Sequence, residues 1–128
     1  MNKSKFQFSN PVLSKVSFNV YNHFNPEEFD GIVMDSNTEV QIIDDQHANV
    51  RLTVNVGKGI PNQPFDISIE MSADFSWGST IQEDTVHKML RINGSAVLLS
   101  YIRPIIANLT NSSQYPSLNI PFIDFTDE

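Results

Sequence analysis

Phe65-Asp66-Ile67-Ser68-Ile69-Glu70-Met71-Ser72-Ala73-Asp74-Phe75-Ser76-Trp77 alternates apolar and polar residues without a fault. A period of two over that length is the signature of a β-strand with one covered and one wet face. The same pattern recurs upstream. Val50, Leu52, Val54 and Val56 alternate with Asn49, Arg51, Thr53 and Asn55, and the run ends at Gly57-Lys58-Gly59, a hairpin turn. An earlier strand spans roughly Asn37 to Ile43 and stops at the turn-prone cluster Asp44-Asp45-Gln46-His47. The first strand shows Val16, Phe18 and Val20 against Ser17, Asn19 and Tyr21, and a polar connection from Asn22 to Gly31 follows it. Connections this short supply no crossover elements, so the four strands are expected to pair antiparallel.

Helical spacing begins only after the strands. Ser79-Thr80 followed by Glu83 predicts a capping box, Val86, Met89 and Leu90 form a short apolar stripe, and Asn93-Gly94 is expected to end that helix. A second helix is expected from Ser95. Leu98, Ile102, Ile105 and Leu109 recur at helical spacing, while Val97, Leu99, Tyr101 and Ile106 widen the stripe beyond one packing surface. Pro104 removes a backbone donor inside this run and is expected to bend it. Pro116 and Pro121 make the apolar remainder an extended tail. The fold class is therefore α+β: a four-stranded antiparallel sheet, two C-terminal helices and an extended tail, in one domain over residues 1–128.

Composition narrows the function. Eight basic against fifteen acidic residues give a net charge of −7, which repels nucleic-acid phosphates and anionic lipid alike. Nucleic acid and membrane are not expected partners. There is no cysteine, hence no disulfide framework and no thiol nucleophile. No signal-peptide core precedes the first strand and no segment reaches about 18 apolar residues, so the expected location is the cytoplasm. The Asn-x-Ser/Thr triplets at Asn93, Asn108 and Asn111 then carry no glycan.

Catalytic chemistry finds little footing. His23, His47 and His87 sit in different elements and make no ligand pair, so no metal or other cofactor is expected. Asp44-Asp45 and Glu83-Asp84 are adjacent pairs whose side chains diverge, which makes an acid–base dyad unattractive. Gly57-Lys58-Gly59 lacks the spacing of a phosphate loop. The chain is not expected to be an enzyme. What remains is an excess of apolar surface on the long helix and tail, more than one small sheet covers.

From Phe75 onward the motifs resemble the SecB protein-export chaperones. Their carriers here are Phe75-Ser76-Trp77, Tyr101-Ile102-Arg103 and Tyr115-Pro116-Ser117-Leu118-Asn119-Ile120, with Phe122-Ile123-Asp124-Phe125 closing the tail. The earlier half matches in strand layout and in Ser17-Phe18. The resemblance implies a SecB-like fold assembled as a dimer or dimer of dimers, whose grooves hold unfolded client polypeptides without ATP. It implies a polypeptide-binding groove lined by Phe75, Trp77, Ile81, Met89, Leu90, Tyr115, Leu118, Ile120 and Phe122. Leu98, Tyr101, Ile102, Arg103 and Ile105 are the implied oligomer interface. The family is expected to contact the translocase motor SecA through acidic side chains, yet the matching positions here are Lys15, Asn19 and Ser68. Contact with SecA is thus expected to be weak or absent, with Glu70 and Asp74 as possible substitutes and guardianship of an antitoxin as another assignment. The chain ends at Asp127-Glu128, so a further C-terminal helix is not expected. Two rival classes are a small-ligand carrier or hot-dog-like thioesterase, which places its helix early, and a subunit dedicated to one folded partner.

Overall fold

In the computed structural model, which describes residues 1–126, the alternating run becomes β5 (Phe65–Ser76) and lies inside the sheet. β4 (His47–Val56) pairs antiparallel along one side of it, from Val56 opposite Ile67 to His47 opposite Ser76. β3 (Met34–Asp44) pairs antiparallel with the far side of β4 and forms one edge of the sheet. The other edge consists of two strands laid end to end along β5. β2 (Val12–Val20) runs opposite Ser72 to Phe65, and β1 (Gln7–Phe8) runs opposite Ser76 and Phe75.

The extra strand β1 departs from the four-strand expectation, and the sequence conceals it for a physical reason. Pro11 has no N–H to give to a ladder, and a register shift between Leu13 and Lys15 breaks the alternation. Leu13 and Val16 therefore stand opposite Met71 and Ile69 on the same face, although they are an odd number of residues apart. Ser14, the residue passed over, donates its hydroxyl to Glu70 Oε2 at 2.8 Å.

Helix α1 (Glu83–Lys88), a π-helical turn (Met89–Gly94) and helix α2 (Ser95–Asn111) follow one another without interruption. This corrects the expected break at Asn93-Gly94. Gly94 has ordinary right-handed helical angles, φ −60° and ψ −46°. An added Cβ there would sit 3.4 Å from Val50 and 3.5 Å from Phe75, so the helix backbone lies over the sheet with room for one methyl group. The capping box is also absent: Gln82 is the N-cap, without a side-chain bond, and Thr80 instead accepts from Lys5 Nζ at 3.4 Å. α2 passes through Pro104. Ser100, whose carbonyl loses its donor, and Pro104 are both exposed, so water can replace the missing N–H.

The core is the seam between this helical run and the inward faces of β4 and β5. Val50, Leu52, Val54 and Val56 meet Ile67, Ile69 and Phe75, with Leu90, Leu98, Leu99, Ile102 and Ile106 above them, all essentially without solvent contact. The tail then folds back along α2. The Leu118 N–H donates to Thr110 Oγ1 at 2.7 Å, Ser117 Oγ to the Ala107 carbonyl at 2.9 Å, and Arg103 Nε to the Ile120 carbonyl at 2.8 Å. Asp127 and Glu128, on which the expected absence of a further helix rested, lie outside the described residues.

Two glycine replacements separate the roles of these backbone positions. Gly57 has φ +66°, and an added Cβ would lie 2.4 Å from the Phe65 carbonyl oxygen, so Gly57→Ala should cost at least about 1–3 kcal/mol. Gly94→Ala removes a poor helix former with ordinary contact distances and should be neutral or stabilising by up to ~1 kcal/mol. Urea denaturation of both variants checks this; a strongly destabilised Gly94→Ala would contradict the continuous helix.

Candidate functional site

A single helix is about 10 Å across with its side chains, and strands are spaced about 4.8 Å apart, so one helix covers about two strands. Here those are β4 and β5. Ile42, on the helix side of edge strand β3, is 48 % exposed, and Leu13 and Val16 on β2 are 43 % and 44 % exposed. The uncovered strips on either side of the helix are the candidate binding surfaces.

Along β3 the uncovered strip is a trough. Ser36, Thr38, Val40 and Ile42 project to the helix side, as their register opposite Val54, Leu52, Val50 and Ala48 requires. Thr38 Oγ1 meets the hydroxyl of buried Ser95 at 2.8 Å, which fixes the middle of the strand to the helix. One end holds a hollow lined by Ile42, Trp77 and Val86, rimmed by Asp44, Asp45, Glu83 and His87. At the other end Ser36, Asn37, Thr38 and Arg91 face Ile123, Asp124 and Phe125 of the tail. Asp44 is held below the usual carboxylate range by the backbone N–H of Gln46, at 2.9 Å, and by His47 Nδ1, at 2.8 Å. Its lowered folded-state pKa means that the turn is supported while Asp44 is ionised, and loses that support as pH falls through the lowered value.

The structure distributes the nine groove candidates over four environments. Phe75, Leu90 and Ile120 are fully buried and belong to the core, which corrects their expected place on a groove surface. Their apolar character reflects the helix–sheet seam. Trp77 is nearly buried and forms a wall of the Ile42 hollow, while Ile81 and Met89 are half-buried nearby in sequence. Tyr115 and Leu118 are half-buried elsewhere: the Tyr115 hydroxyl donates to the Tyr21 carbonyl at 2.7 Å and its ring packs edge-on against Phe24 and Phe65. Phe122 is 81 % exposed beneath the Arg103 guanidinium, 4.5 Å from the ring centre. The residues that sequence reasoning missed are Ile42 and Val86. Ile42-Ile43 interrupts the alternation just before Asp44-Asp45, the one signal that could have singled them out.

The interface candidates divide similarly. Leu98 and Ile102 are completely buried against the sheet, so they are core residues instead of contacts for a second copy. Arg103 is committed to the tail, Ile105 is half-buried, and Tyr101 is exposed with its ring edge-on to exposed Phe8. On the uncovered polar face, Lys15 lies opposite Glu70, Asn19 donates to Asp66 at 3.0 Å, and Ser68 is buried. Among the described residues no helix is long and apolar enough to cross a membrane.

The chain matches the family profile of the preprotein translocase subunit SecB over residues 2–127. It belongs to the SecB family, and its class is that of a SecB-type chaperone. A solved structure of similar fold is the Mycobacterium tuberculosis Rv1957 SecB-like chaperone in complex with a ChAD peptide from the Rv1956 HigA1 antitoxin. It shares 18 % identity over 94 % of this chain and 91 % of that one, with a TM-score of 0.68. A protein of unknown function from Streptococcus agalactiae shares 13 % identity over 94 % of this chain and 100 % of that one, with a TM-score of 0.55. No significant match is found among the curated proteins.

Arg103 holds the tail at Ile120, beyond the bonds that Ala107 and Thr110 make to Ser117 and Leu118. Arg103→Ala should raise amide exchange of residues 118–123 by at least about tenfold, a loss of roughly 1.4 kcal/mol, and leave β4 and β5 protection unchanged. Exchange mass spectrometry reads both, and an unaltered tail would show that Arg103 does not anchor it.

Proposed function

We propose that the chain is an ATP-independent holdase that keeps non-native polypeptide segments from aggregating, acts in the cytoplasm and uses no cofactor. The observation that carries this reading is exposed apolar surface: Ile42 on the helix side of β3 and Phe122 on the tail face water on a SecB-family protomer. Burying each such side chain is worth roughly 1.5–3 kcal/mol, so their exposure favours any partner that brings apolar surface to them. Apolar contact is also undemanding in sequence, which suits many clients. Trp77, Ile81 and Met89 supply the client contacts next to Ile42, with Leu90 and Phe75 as supporting core. Phe122, Tyr115 and Leu118 extend the surface along the tail.

The exposed group of Phe8, Leu13, Val16 and Tyr101 on the β2 side supports self-association, with Ile105 at its margin. A second reading, guardianship of one dedicated partner such as an antitoxin, draws on the Rv1957 structure, which holds an antitoxin peptide. A role in export is less well supported, because Lys15, Asn19 and Ser68 replace the acidic side chains expected for SecA.

Light scattering from a thermally unfolding, unrelated enzyme should fall in the presence of this protein at about a two- to fivefold molar excess; suppression of several enzymes marks a holdase, and none would overturn the reading. Met89→Asp and Phe122→Asp should weaken that suppression while leaving the melting temperature within a few degrees of wild type. Leu90→Ala should instead lower stability by about 2–5 kcal/mol, the cost of a core cavity. Sedimentation should give a mass above the 14.5 kDa of one chain, reduced by Val16→Lys with Tyr101→Lys.

A further inference from the structure

The buried residues of the helical run are out of phase with one another. Ser95, Leu99, Ile102 and Ile106 are buried against the sheet, and so are Val86 and Leu90 upstream. At about 3.6 residues per turn, the step from Leu90 to Ser95 is about 1.4 turns and the step from Val86 about 2.5. A regular α-helix that buries Ser95 would therefore point Val86 to the opposite side and turn Asp84 and Lys88 to the sheet. The π-helical turn Met89–Gly94 removes the conflict, because it takes up one residue more than an α turn does. With that residue discounted, Leu90 and Val86 stand about 1.1 and 2.2 turns from Ser95, within about a quarter turn of its side.

Such a turn leaves a polar group to satisfy. Where hydrogen bonding passes from the i+5 pattern back to i+4, one carbonyl is left without an amide, and here the turn lies against the sheet, with Leu90 and Gly94 buried. Ser95 stands at that junction. Its hydroxyl donates to the Arg91 carbonyl at 2.5 Å and so takes its own bond from Thr38 Oγ1 on β3, at 2.8 Å. Both bonds are made away from bulk solvent, since Ser95 is 0 % exposed and Thr38 half-buried.

We propose that Ser95, held by Thr38, is a positioning residue: it pairs the carbonyl that the π turn leaves open, and thereby fixes which face α1 turns to the sheet. This deepens the holdase reading and rests on it for its functional half. With the turn in place, Val86 points inward beside Trp77, and Glu83 and His87 stand at the rim of the hollow that they share. Without the Ser95 hydroxyl the π register loses its support, and α1 samples the regular helix in which exposed Asp84 and Lys88 displace Val86.

Deleting exposed Asn93 gives the decisive comparison. A chain one residue shorter keeps Val86 and Leu90 on the covered side of an ordinary α-helix, in which every carbonyl of the former π turn has its amide, so the Ser95 hydroxyl becomes dispensable. In the intact chain, Ser95→Ala should raise amide exchange of residues 83–92 by at least about tenfold and leave β4 and β5 unchanged. It should also move the emission of Trp77, the only tryptophan, to longer wavelength, and weaken binding of a reduced, carboxymethylated, permanently unfolded protein by at least about threefold. In the chain lacking Asn93, the same replacement should change exchange and binding by less than about twofold and leave the emission in place. Equal effects in the two chains, no effect in the intact one, or an Asn93 deletion that does not fold would overturn the register lock. Should Ser95→Ala alone fail to fold, folding of the double variant supports the lock and its failure overturns it. Unchanged binding by a loosened Ser95→Ala protein would overturn the positioning role and leave the holdase reading intact, whereas absence of binding by the wild-type chain removes that reading and leaves exchange and fluorescence to decide the lock.

Discussion

The constraint on which everything else depends is that a two-faced sheet must cover one face, and this chain covers it with a single helical run. The seam between that run and strands β4 and β5 holds nearly all the solvent-free side chains. At roughly 1.5–3 kcal/mol for each fully buried apolar side chain, this seam is the main source of the protomer's stability. It also sets the limits of cover. A helix about 10 Å across cannot shield four strands spaced at about 4.8 Å, so both edge strands keep apolar side chains in contact with water.

The tail modifies this division without abolishing it. Its hydrogen bonds to Arg103, Ala107 and Thr110 bring Ile120 into the core and carry Ile123 and Phe125 to the Ser36–Thr38 end of β3. The Ile42 end receives no such cover. The trough beside β3 is therefore graded, closed by the chain's own tail at one end and open between Ile42, Trp77 and Val86 at the other. Such a partly satisfied surface leaves the protomer stable alone while Ile42 still gains by being covered.

Acidic residues complement this arrangement. Asp35, Glu39, Asp66, Glu70 and Asp74 lie on the uncovered polar face, where Arg51 approaches Glu39 at 3.7 Å and Glu70 at 4.0 Å. Such exposed pairs contribute little to stability, but the surplus of negative charge opposes association of copies through this face.

Much of the fold was legible because alternation is a local property. Phe65 to Trp77 and Asn49 to Val56 announce β5 and β4 directly, since each residue's face follows from its position modulo two. The family was legible for a related reason: Tyr101-Ile102-Arg103 and Tyr115 to Ile120 form a compact motif, and the profile extends it over residues 2–127. Other features needed the assembled structure. Whether Gly94 ends a helix or seats one depends on Val50 and Phe75, which are distant in sequence. Whether Leu90, Leu98 or Ile120 faces a client, a second copy or the core depends on the rotation of the helix and the return path of the tail, because the same apolar residue type serves all three. Sequence by itself determined which residues avoid water. Only tertiary packing decided which of them succeed, because one helix is too narrow for the sheet it covers.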